Sequence, residues 1–401
     1  MFKLIQIASY VGVLVWFCVV ICHFIAIYRA LFYLYSWRKR KVDTIEHREE
    51  IGISVVKTIA GISQKAFENL ESLFTLNYSK FELLICVHDK ENNIIPGIQK
   101  LIQKYPDVDV RVFQGACDIG INPKINNIMQ CYEQIKYQYV WICDSNILVQ
   151  ASLLTELASH IQLNVGMIHQ LPFKQTSSTN NFGECLDKVY FGTQHARWYL
   201  FFDALGLCCT NGMSSIFDKK ALDEVGGLSA FSNYIAEDHF MGKSFFERNY
   251  KLVLSTEPVL QNPDACTASI FVKRMTRWQK LRLTMLPVGI LEPLIECFLL
   301  GVVASFSSSF LFGTSIVGFY VKHVSCWFLS DQILLWLVQG DYQDLPPLWL
   351  RTAAWFFREL ITYWVYLQAL WDRKIHWRMG TFDLKFGGHA NLIRKTDVKH
   401  A

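Results

Sequence analysis

Carboxylates occur at three places in the chain where they could take part in chemistry. Asp89 and Asp144 each follow the end of an apolar, strand-like run of residues, and Glu237 and Asp238 lie together inside an apolar and aromatic stretch. Burial would raise the pKa of a carboxyl group towards the range useful for a general base, so Asp238 is the predicted base. The alternative is that these two acids stand at the start of a helix, where negative charge is favourable.

A carboxylate at the end of a strand could also hold a divalent cation beside a charged leaving group. A nucleoside diphosphate departs poorly unless a cation or hydrogen-bond donors neutralise its growing charge, so Asp144 is the predicted ligand of Mg²⁺ or Mn²⁺. For both Asp89 and Asp144, the alternative role is to cap the turn that follows the strand.

A basic and aromatic cluster, Arg274-Met275-Thr276-Arg277-Trp278, lies just before the apolar C-terminal region. Its two guanidinium groups can bind a diphosphate in a two-pronged manner, and its indole ring can stack on a sugar. The alternative role is a lipid headgroup anchor, because basic and aromatic residues are common where proteins meet a membrane surface.

The composition predicts an integral membrane protein. Hydrophobic residues make up 52% of the 401 residues and charged residues 18%, compared with roughly 45–50% and 25% in soluble domains. A net charge of +4 is too weak for the concentrated basic face of a nucleic-acid-binding protein. The twelve cysteines are scattered without CxxC spacing, which favours reduced thiols in a cytosol-facing domain over a disulfide scaffold or zinc site.

The N-terminal segment is predicted to anchor the chain in a membrane. Leu4–Tyr28 contains no Asp, Glu, Lys or Arg and is long enough to cross a bilayer. A basic cluster at 37–41 follows it, whereas only Lys3 precedes it, so the positive-inside rule places the following domain in the cytosol. We therefore predict a transmembrane anchor over 1–35. The C-terminal region is strongly apolar again, so we also predict membrane helices, with two to four spans, over 287–372.

Between these regions, residues 50–286 form the predicted globular domain, and 373–401 form a polar basic tail. Short β-rich runs alternate with amphipathic stretches in the globular domain, which is typical of a layered α/β fold. Ligands of open α/β sheets bind beyond the carboxyl ends of the strands, where Asp89 and Asp144 are expected. The predicted strands are Ile53–Ile59, Phe81–Val87, Val110–Phe113, Tyr139–Cys143 and Val165–His169.

The order of the motifs, three acidic segments followed by RxxRW, resembles the pattern of inverting, nucleotide-sugar-dependent glycosyltransferases with a GT-A fold. The resemblance is close to the ceramide glucosyltransferase family and covers essentially the whole chain. It implies a GT-A-type nucleotide-sugar-binding domain inserted between an N-terminal transmembrane helix and a C-terminal helical membrane region. The segments that carry it are Gly120-Ile121-Asn122-Pro123-Lys124-Ile125-Asn126-Asn127, Trp141–Ser145, Val189–Thr193 and Tyr234–Asp238.

By position, the resemblance assigns roles to the residues of the motifs. Asp238 becomes the catalytic base, and Asp144 becomes the acid that works with the metal ion and the diphosphate. Arg274, Arg277 and Trp278 become a clamp on the donor.

The first acidic motif departs from the family pattern. The family has an acid-rich run similar to QDHDD, where this chain has His88-Asp89-Lys90-Glu91-Asn92. Asn92 thus stands in place of the last acid of the family motif in the donor site, and Asp89 would contact the uracil or the ribose.

Three further residues match family positions near the donor or the active site. Lys124 suits a phosphate by its positive charge, although a solvated surface lysine is the alternative. His195 matches a histidine thought to line the active site, although a packed histidine among aromatic residues is equally consistent with the sequence. Cys209 falls where the family has a thiol near the donor, and its neighbour Cys208 could equally be the matching residue.

The resemblance implies transfer of glucose from UDP-glucose to the primary hydroxyl of the membrane lipid ceramide, with inversion, giving β-glucosylceramide and UDP. It also implies a multi-pass protein of the Golgi membrane, or of the endoplasmic reticulum, with its catalytic domain facing the cytosol. Two other functions remain open. A processive polysaccharide synthase also combines acids with a (Q/R)xxRW-type motif, and Asn92 makes a catalytically silent nucleotide-sugar-binding membrane protein conceivable.

Overall fold

The computed structural model describes residues 1–35, 51–61, 63–89, 93–175, 181–340, 345–377 and 380–395. Asn92 lies outside the described residues, so its predicted place in the donor site stays a prediction. The chain divides into two compact units. The helical unit comprises Met1–Ser36, Thr176–Gly206 and Cys266–Arg373, and the sheet unit comprises Trp37–Gln175, Leu207–Ala265 and Lys374–Ala401.

Helices and strands alternate in the sheet unit, and helices make up most of the helical unit. The helices are α1 (Phe2–Arg29), α2 (Ala66–Phe74), α3 (Ile95–Lys104), α4 (Pro123–Tyr132), α5 (Leu153–Ser159), α6 (Phe182–Tyr190), α7 (Ala196–Ala204), α8 (Lys219–Glu224), α9 (Glu237–Glu247), α10 (Ala268–Met285), α11 (Cys297–Phe312), α12 (Ile316–Gln339) and α13 (Leu348–Trp371). The strands are β1 (Ile53–Ile59), β2 (Phe81–Val87), β3 (Val110–Gln114), β4 (Tyr139–Cys143), β5 (Ile147–Leu148), β6 (Val165–His169), β7 (Pro172–Lys174), β8 (Ser214–Asp218), β9 (Lys251–Leu254), β10 (Val259–Gln261), β11 (Lys374–Trp377), β12 (Gly380–Leu384) and β13 (Ala390–Lys395).

A mixed sheet with the strand order β3-β2-β1-β4-β8-β6-β9 forms the centre of the sheet unit. Strands β1 to β4 run parallel, and β8 is antiparallel to both β4 and β6. Alternate residues of a strand point to opposite faces of a sheet. Val55 accordingly packs with α2, α3 and α5 on one face, and Val56 packs with α4, α8 and α9 on the other. The predicted α/β fold class is confirmed.

The residues predicted to form a polar C-terminal tail include a second element of the sheet unit. Strands β11, β12 and β13 form a small antiparallel sheet. Tyr234, which lies just before α9, forms a β-bridge with His389 of this part of the chain, and the rings of the two residues lie 4.4 Å apart. The tail therefore packs beside the segment that leads into α9.

The helical unit contains the candidate membrane spans. Within the described ranges, Phe2–Leu34 is long and apolar enough to cross a bilayer, and an 18-residue stretch of it has a mean hydropathy of 2.5. A second candidate is the pair Gly289–Ile295 and Cys297–Phe312, which is bent by 66° at the break between its two helices. The N-terminal helix supports the predicted membrane association. Neither α12 nor α13 reaches the same hydropathy over the same length.

A cluster of buried charges joins the helices of this unit. Asp331 on α12 lies 2.9 Å from Arg197 on α7 and 3.6 Å from Arg358 on α13. Glu296, just before α11, lies 3.6 Å from Arg197, and Glu359 pairs with Arg358. Buried charges are tolerated when each has an opposite partner, so this network fixes the four helix segments against one another.

Candidate active site

The predicted base lies at the start of α9, where the chain is fixed by a residue of the neighbouring helix α4. Glu237 and Asp238 occupy the first turn of α9. Asn122 caps α4 with its side-chain oxygen, and its amide group donates to Glu237 Oε2 at 2.8 Å and to the carbonyl of Tyr234 at 2.7 Å. One asparagine therefore sets the position of the acidic turn relative to α4.

Lys124, two residues after Asn122, connects this acidic turn to the end of β4. Its Nζ lies 2.8 Å from Asp144 Oδ1 and 3.3 Å from Glu237 Oε1, and it donates to the carbonyl of Gly212. Burial alone would lower the pKa of this ammonium group, but the charges of Asp144 and Glu237 outweigh burial and raise the pKa above its ordinary value. The group stays charged, and the surface-lysine alternative is wrong because only 15% of its side chain is accessible.

The loop before β8 approaches the acidic turn closely because it carries a glycine. A Cβ atom at Gly212 would lie 3.2 Å from both Asp238 Cβ and Lys124 Nζ, which is tighter than ordinary van der Waals contact. The hydroxyl of Thr210 donates to the carbonyl of Asp238 at 3.0 Å. Cys209 thus lies next to a residue that contacts the predicted base.

The two adjacent cysteines, Cys208 and Cys209, share this loop, and both are partly exposed. Burial raises the pKa of Cys208 to about 11, so its thiol is protonated at neutral pH. The loop brings both thiols close to the acidic turn, and the choice of matching residue stays open.

The environment of Asp238 suits a proton acceptor. Burial, reinforced by the charge of Glu237 and opposed by Lys124, raises the pKa of Asp238 to about 7. A base whose pKa lies near the working pH is partly ionised and can still take up a proton effectively. Glu237 and Asp238 do stand at the start of a helix, as the alternative interpretation has it. This position is compatible with the raised pKa of Asp238, so it does not exclude a role of Asp238 as the base.

The acids that follow β2 and β4 lie at the same edge of the sheet, as predicted. Asp144 follows β4 directly, and Asp89 follows β2 after His88, whose amide donates to the carbonyl of Ile59 at the end of β1. Asn127 on α4 donates to that same carbonyl at 3.3 Å. The strand ends are therefore tied to each other and to the helix that carries Lys124.

A buried lysine that the sequence predictions did not include supports the loop after β4. Lys57 on β1 is 1% exposed, and its Nζ donates to the carbonyls of Asp144 at 2.7 Å and Ile147 at 3.1 Å. Burial lowers the pKa of Lys57, against the opposing effects of Cys143 and Asp144. A cavity of about 110 Å³ lies beside Lys57 and is lined also by Gly61, Ser63, Ala66 and Ser145.

The acids do not form a complete metal cage by themselves. No group of three or more His, Cys, Asp or Glu side chains that could hold a metal ion occurs in the part of the chain that the structure describes. Mg²⁺ is often bound through one or two carboxylates together with substrate phosphates and water. Asp144 keeps 30% of its side chain accessible, so it fits this mode of binding.

The basic and aromatic cluster lies on α10 of the helical unit. Arg274 pairs with the buried carboxylate of Asp187, and its guanidinium group lies 5.6 Å from the ring centre of Trp278. Arg277 makes no ion pair with another described residue, and burial, together with the charge of Arg274, lowers its pKa. The two arginines thus differ, because Arg274 is paired with a carboxylate of the protein and Arg277 is paired with none of the described ones.

His195 belongs to an aromatic group in the same unit. Its ring stacks on Tyr199 at 5.5 Å and lies 5.8 Å from Tyr190, which in turn packs 6.1 Å from Trp278. Burial lowers the pKa of His195 to about 3, so the ring is neutral. This geometry agrees with the packing role, and a ligand contact of His195 stays a prediction.

Sequence reasoning assigned no positioning role to several residues that the structure places around the predicted ones, namely Lys57, Asn122, Asn127 and Gly212. Two of them had a recognisable signal in the sequence. Asn122 followed by Pro123 is typical of a helix start, and Lys57 is a cation inside an otherwise apolar strand. The contact of Asn122 with Glu237 joins residues 115 positions apart and has no local signal.

Comparison with known proteins matches residues 18–390 to the model of glycosyl transferase family 21. Ceramide glucosyltransferase 3 of Caenorhabditis elegans is 35% identical over 94% of this chain and 81% of its own length. Ceramide glucosyltransferase 1 of the same organism is 34% identical over 86% and 74%. A solved mannosyltransferase of Pyrobaculum calidifontis has a TM-score of 0.48 at 12% identity, covering 90% of this chain and 99% of that one, too distant to add to these matches. With a family model matching most of its length and two relatives above 30% identity, the chain belongs to glycosyltransferase family 21.

Proposed function

We propose that this glycosyltransferase transfers glucose from UDP-glucose to the primary hydroxyl of ceramide, with inversion, giving β-glucosylceramide and UDP. The names of the two Caenorhabditis relatives support ceramide as the acceptor. The observation that carries the proposal is the placement of Lys124 between Asp144 and Glu237. It joins a strand-end acid, where a nucleotide would bind, to the helix that bears the base.

In this mechanism Asp238 accepts the proton of the ceramide hydroxyl as its oxygen attacks the anomeric carbon of the donor. The bond to the diphosphate breaks on the opposite side of that carbon, which inverts its configuration. A pKa of about 7 lets Asp238 act near neutral pH, because enough of the carboxylate is ionised to receive the proton.

The departing UDP gains negative charge, and the chain offers fixed positive groups to stabilise it. Lys124 is a charged and largely buried ammonium group beside Asp144, and the family resemblance assigns Arg277 to the diphosphate. Asp144 would hold Mg²⁺ or Mn²⁺, which when bound supplies further neutralisation of the phosphate charge. Stabilising charge that develops only in the transition state raises the rate without tightening ground-state binding.

The membrane supplies the acceptor. Helix α1 would anchor the chain, the bent pair before and in α11 would add a second membrane element, and the catalytic domain would face the cytosol. The family resemblance supports the Golgi membrane, or that of the endoplasmic reticulum, as the proposed location. An active site beside the lipid surface concentrates and orients a water-insoluble acceptor, which is an effect of proximity.

The proposal is tested by incubating the full chain in microsomes with UDP-[¹³C]glucose and ceramide and analysing the lipids by mass spectrometry. We expect one labelled hexose on ceramide in β linkage. A ladder of labelled hexose polymers would instead identify a processive synthase. UDP-glucose binding without labelled product would identify a silent binding protein.

A further inference from the structure

Tyr234, in the segment that leads into α9, is enclosed on both faces of its ring. The ring of Phe240 on α9 stacks on it, with the ring centres 4.0 Å apart and the planes inclined by 28°. The ring of His389 lies 4.4 Å from it, with the planes inclined by 32°. Two rings this close and this nearly parallel to a third would overlap if they shared a face, so Phe240 and His389 occupy opposite faces of Tyr234.

Polar contacts fix the same tyrosine at two further points. Its carbonyl accepts a hydrogen bond from the side-chain amide of Asn122 at 2.7 Å, and its hydroxyl lies 3.2 Å from Nε2 of His389. An antiparallel β-bridge also joins the backbones of Tyr234 and His389. Asn122 therefore fixes the tyrosine to α4, and His389 fixes it to the C-terminal sheet.

The hairpin formed by β12 and β13 sets the position of His389. The two strands are paired along their length. In the turn between them, Gly387 and Gly388 have φ values of +85° and +81°, which residues with a Cβ atom rarely adopt. The amide of Lys385 donates to the carbonyl of His389 at 2.7 Å and closes the turn. A paired hairpin thus holds the imidazole against Tyr234.

The stack of three rings leads directly to the predicted base. Phe240 lies two residues after Asp238 on α9, and residues within one helical turn move together because the backbone of a helix is hydrogen-bonded. A shift of Tyr234 would therefore displace Phe240 and Asp238 as one piece. Misplacement of a catalytic group by about 1 Å can lower a rate about 10²-fold, so a contact on Tyr234 can affect the reaction without touching a substrate.

We propose that His389 is a positioning residue for the base. By stacking on Tyr234 it holds the first turn of α9 in place, and with it the carboxylate of Asp238 that receives the proton of the acceptor hydroxyl. The proposal rests on the role of Asp238 in the proposed function. In this arrangement the C-terminal sheet supplies no catalytic residue, and it acts on the rate by fixing the acidic turn.

The first test measures glucosyl transfer to ceramide by the full chain in detergent. We expect His389→Ala to lower kcat about tenfold, with the KM for UDP-glucose and the midpoint of thermal unfolding unchanged, because the contacts of Lys124 with Asp144 and Glu237 remain. His389→Phe keeps a ring against Tyr234 and should recover kcat to within about threefold of the unmodified chain.

His376→Ala replaces an exposed histidine on β11 of the same small sheet and is the matched control, which should leave kcat unchanged. A kcat of His389→Ala equal to that of this control overturns the proposal. So does a loss in His389→Phe as large as that in His389→Ala, because stacking on Tyr234 would then not be the cause.

A double-mutant cycle tests whether His389 acts through Tyr234. In the background of Tyr234→Leu, His389→Ala should lower kcat little further, because residues that act through one shared contact are not additive. Full additivity of the two losses would show that His389 acts by another route and would overturn the proposal.

Amide hydrogen exchange in peptides covering 232–241 tests the same contact without turnover. His389→Ala should speed exchange in this segment of the full chain, and His376→Ala should not, because exchange reports local opening of the backbone. Unchanged exchange in His389→Ala overturns the proposal, whichever reaction the chain catalyses. Absence of glucosylceramide from the unmodified chain would instead contradict the proposed function.

Discussion

Nζ of Lys124 lies 2.8 Å from Oδ1 of Asp144, so a fixed positive charge stands directly beside the acid that follows β4. The same ammonium group lies 3.3 Å from Glu237, next to the predicted base. Three carboxylates, counting Asp238, therefore lie close enough to this lysine for its charge to stabilise their ionised forms. A diphosphate bound at this edge of the sheet would meet that positive charge.

Replacement of Lys124 by methionine keeps most of the side-chain volume and removes the charge. We expect Lys124→Met to lower kcat/KM for UDP-glucose at least about tenfold, because one charge-assisted contact contributes roughly 1.5–3 kcal/mol. Kinetics with purified protein in detergent measure the effect. Lys136→Met removes an exposed lysine of the same unit, paired with Asp109 at 3.4 Å, and serves as the control. Activity of Lys124→Met equal to that of this control would contradict a role in donor binding.

The pH dependence of turnover tests the predicted base. Asp238 must be ionised to accept a proton, and its pKa is raised to about 7, so kcat should rise as the pH increases through 7 and level off above it. Asp238→Asn cannot ionise and should lower kcat by about 10²–10⁴-fold while preserving UDP-glucose binding. Asp109→Asn, at an exposed position, is the matched control. Retention of more than about a tenth of the turnover by Asp238→Asn would exclude the base assignment.

Local sequence signals predicted the central strands closely. The bounds of β1, β2, β4 and β6 agree with the predicted runs, because strands buried on both faces read as continuous apolar segments. The arrangement around Lys124 could not be predicted in this way, since it depends on contacts between distant segments. Likewise, the polar composition of the C-terminal residues gave no indication of a small antiparallel sheet.

Replacement of Lys57 tests whether its hydrogen bonds to the loop after β4 stabilise that loop. Lys57→Met would leave the carbonyls of Asp144 and Ile147 without this donor, and an unsatisfied buried polar group costs about 1–3 kcal/mol. We expect a lower midpoint of thermal unfolding and weaker UDP-glucose binding. Lys100→Met, at an exposed position on α3, should change neither. If Lys57→Met has the same midpoint of thermal unfolding as this control, the hydrogen bonds of Lys57 are not needed to stabilise the loop.

The charges around the first candidate span predict the orientation of residues 51–286. More basic residues follow α1 than precede it, which predicts that residues 51–286 face the cytosol. Protease added to sealed microsomes should digest this region without detergent. Protection of the region until detergent is added would place it in the lumen.

The two arginines of the cluster on α10 should respond differently to the same substitution. Arg274 is paired with buried Asp187, so Arg274→Lys should mainly lower the midpoint of thermal unfolding. Arg277 has no such partner among the described residues, and Arg277→Lys keeps the charge but loses the planar, two-pronged geometry. If Arg277 binds the departing diphosphate, kcat should fall at least about tenfold, since the contact gains strength in the transition state. If the cluster is only a headgroup anchor, Arg277→Lys will leave kcat unchanged in detergent with saturating substrates.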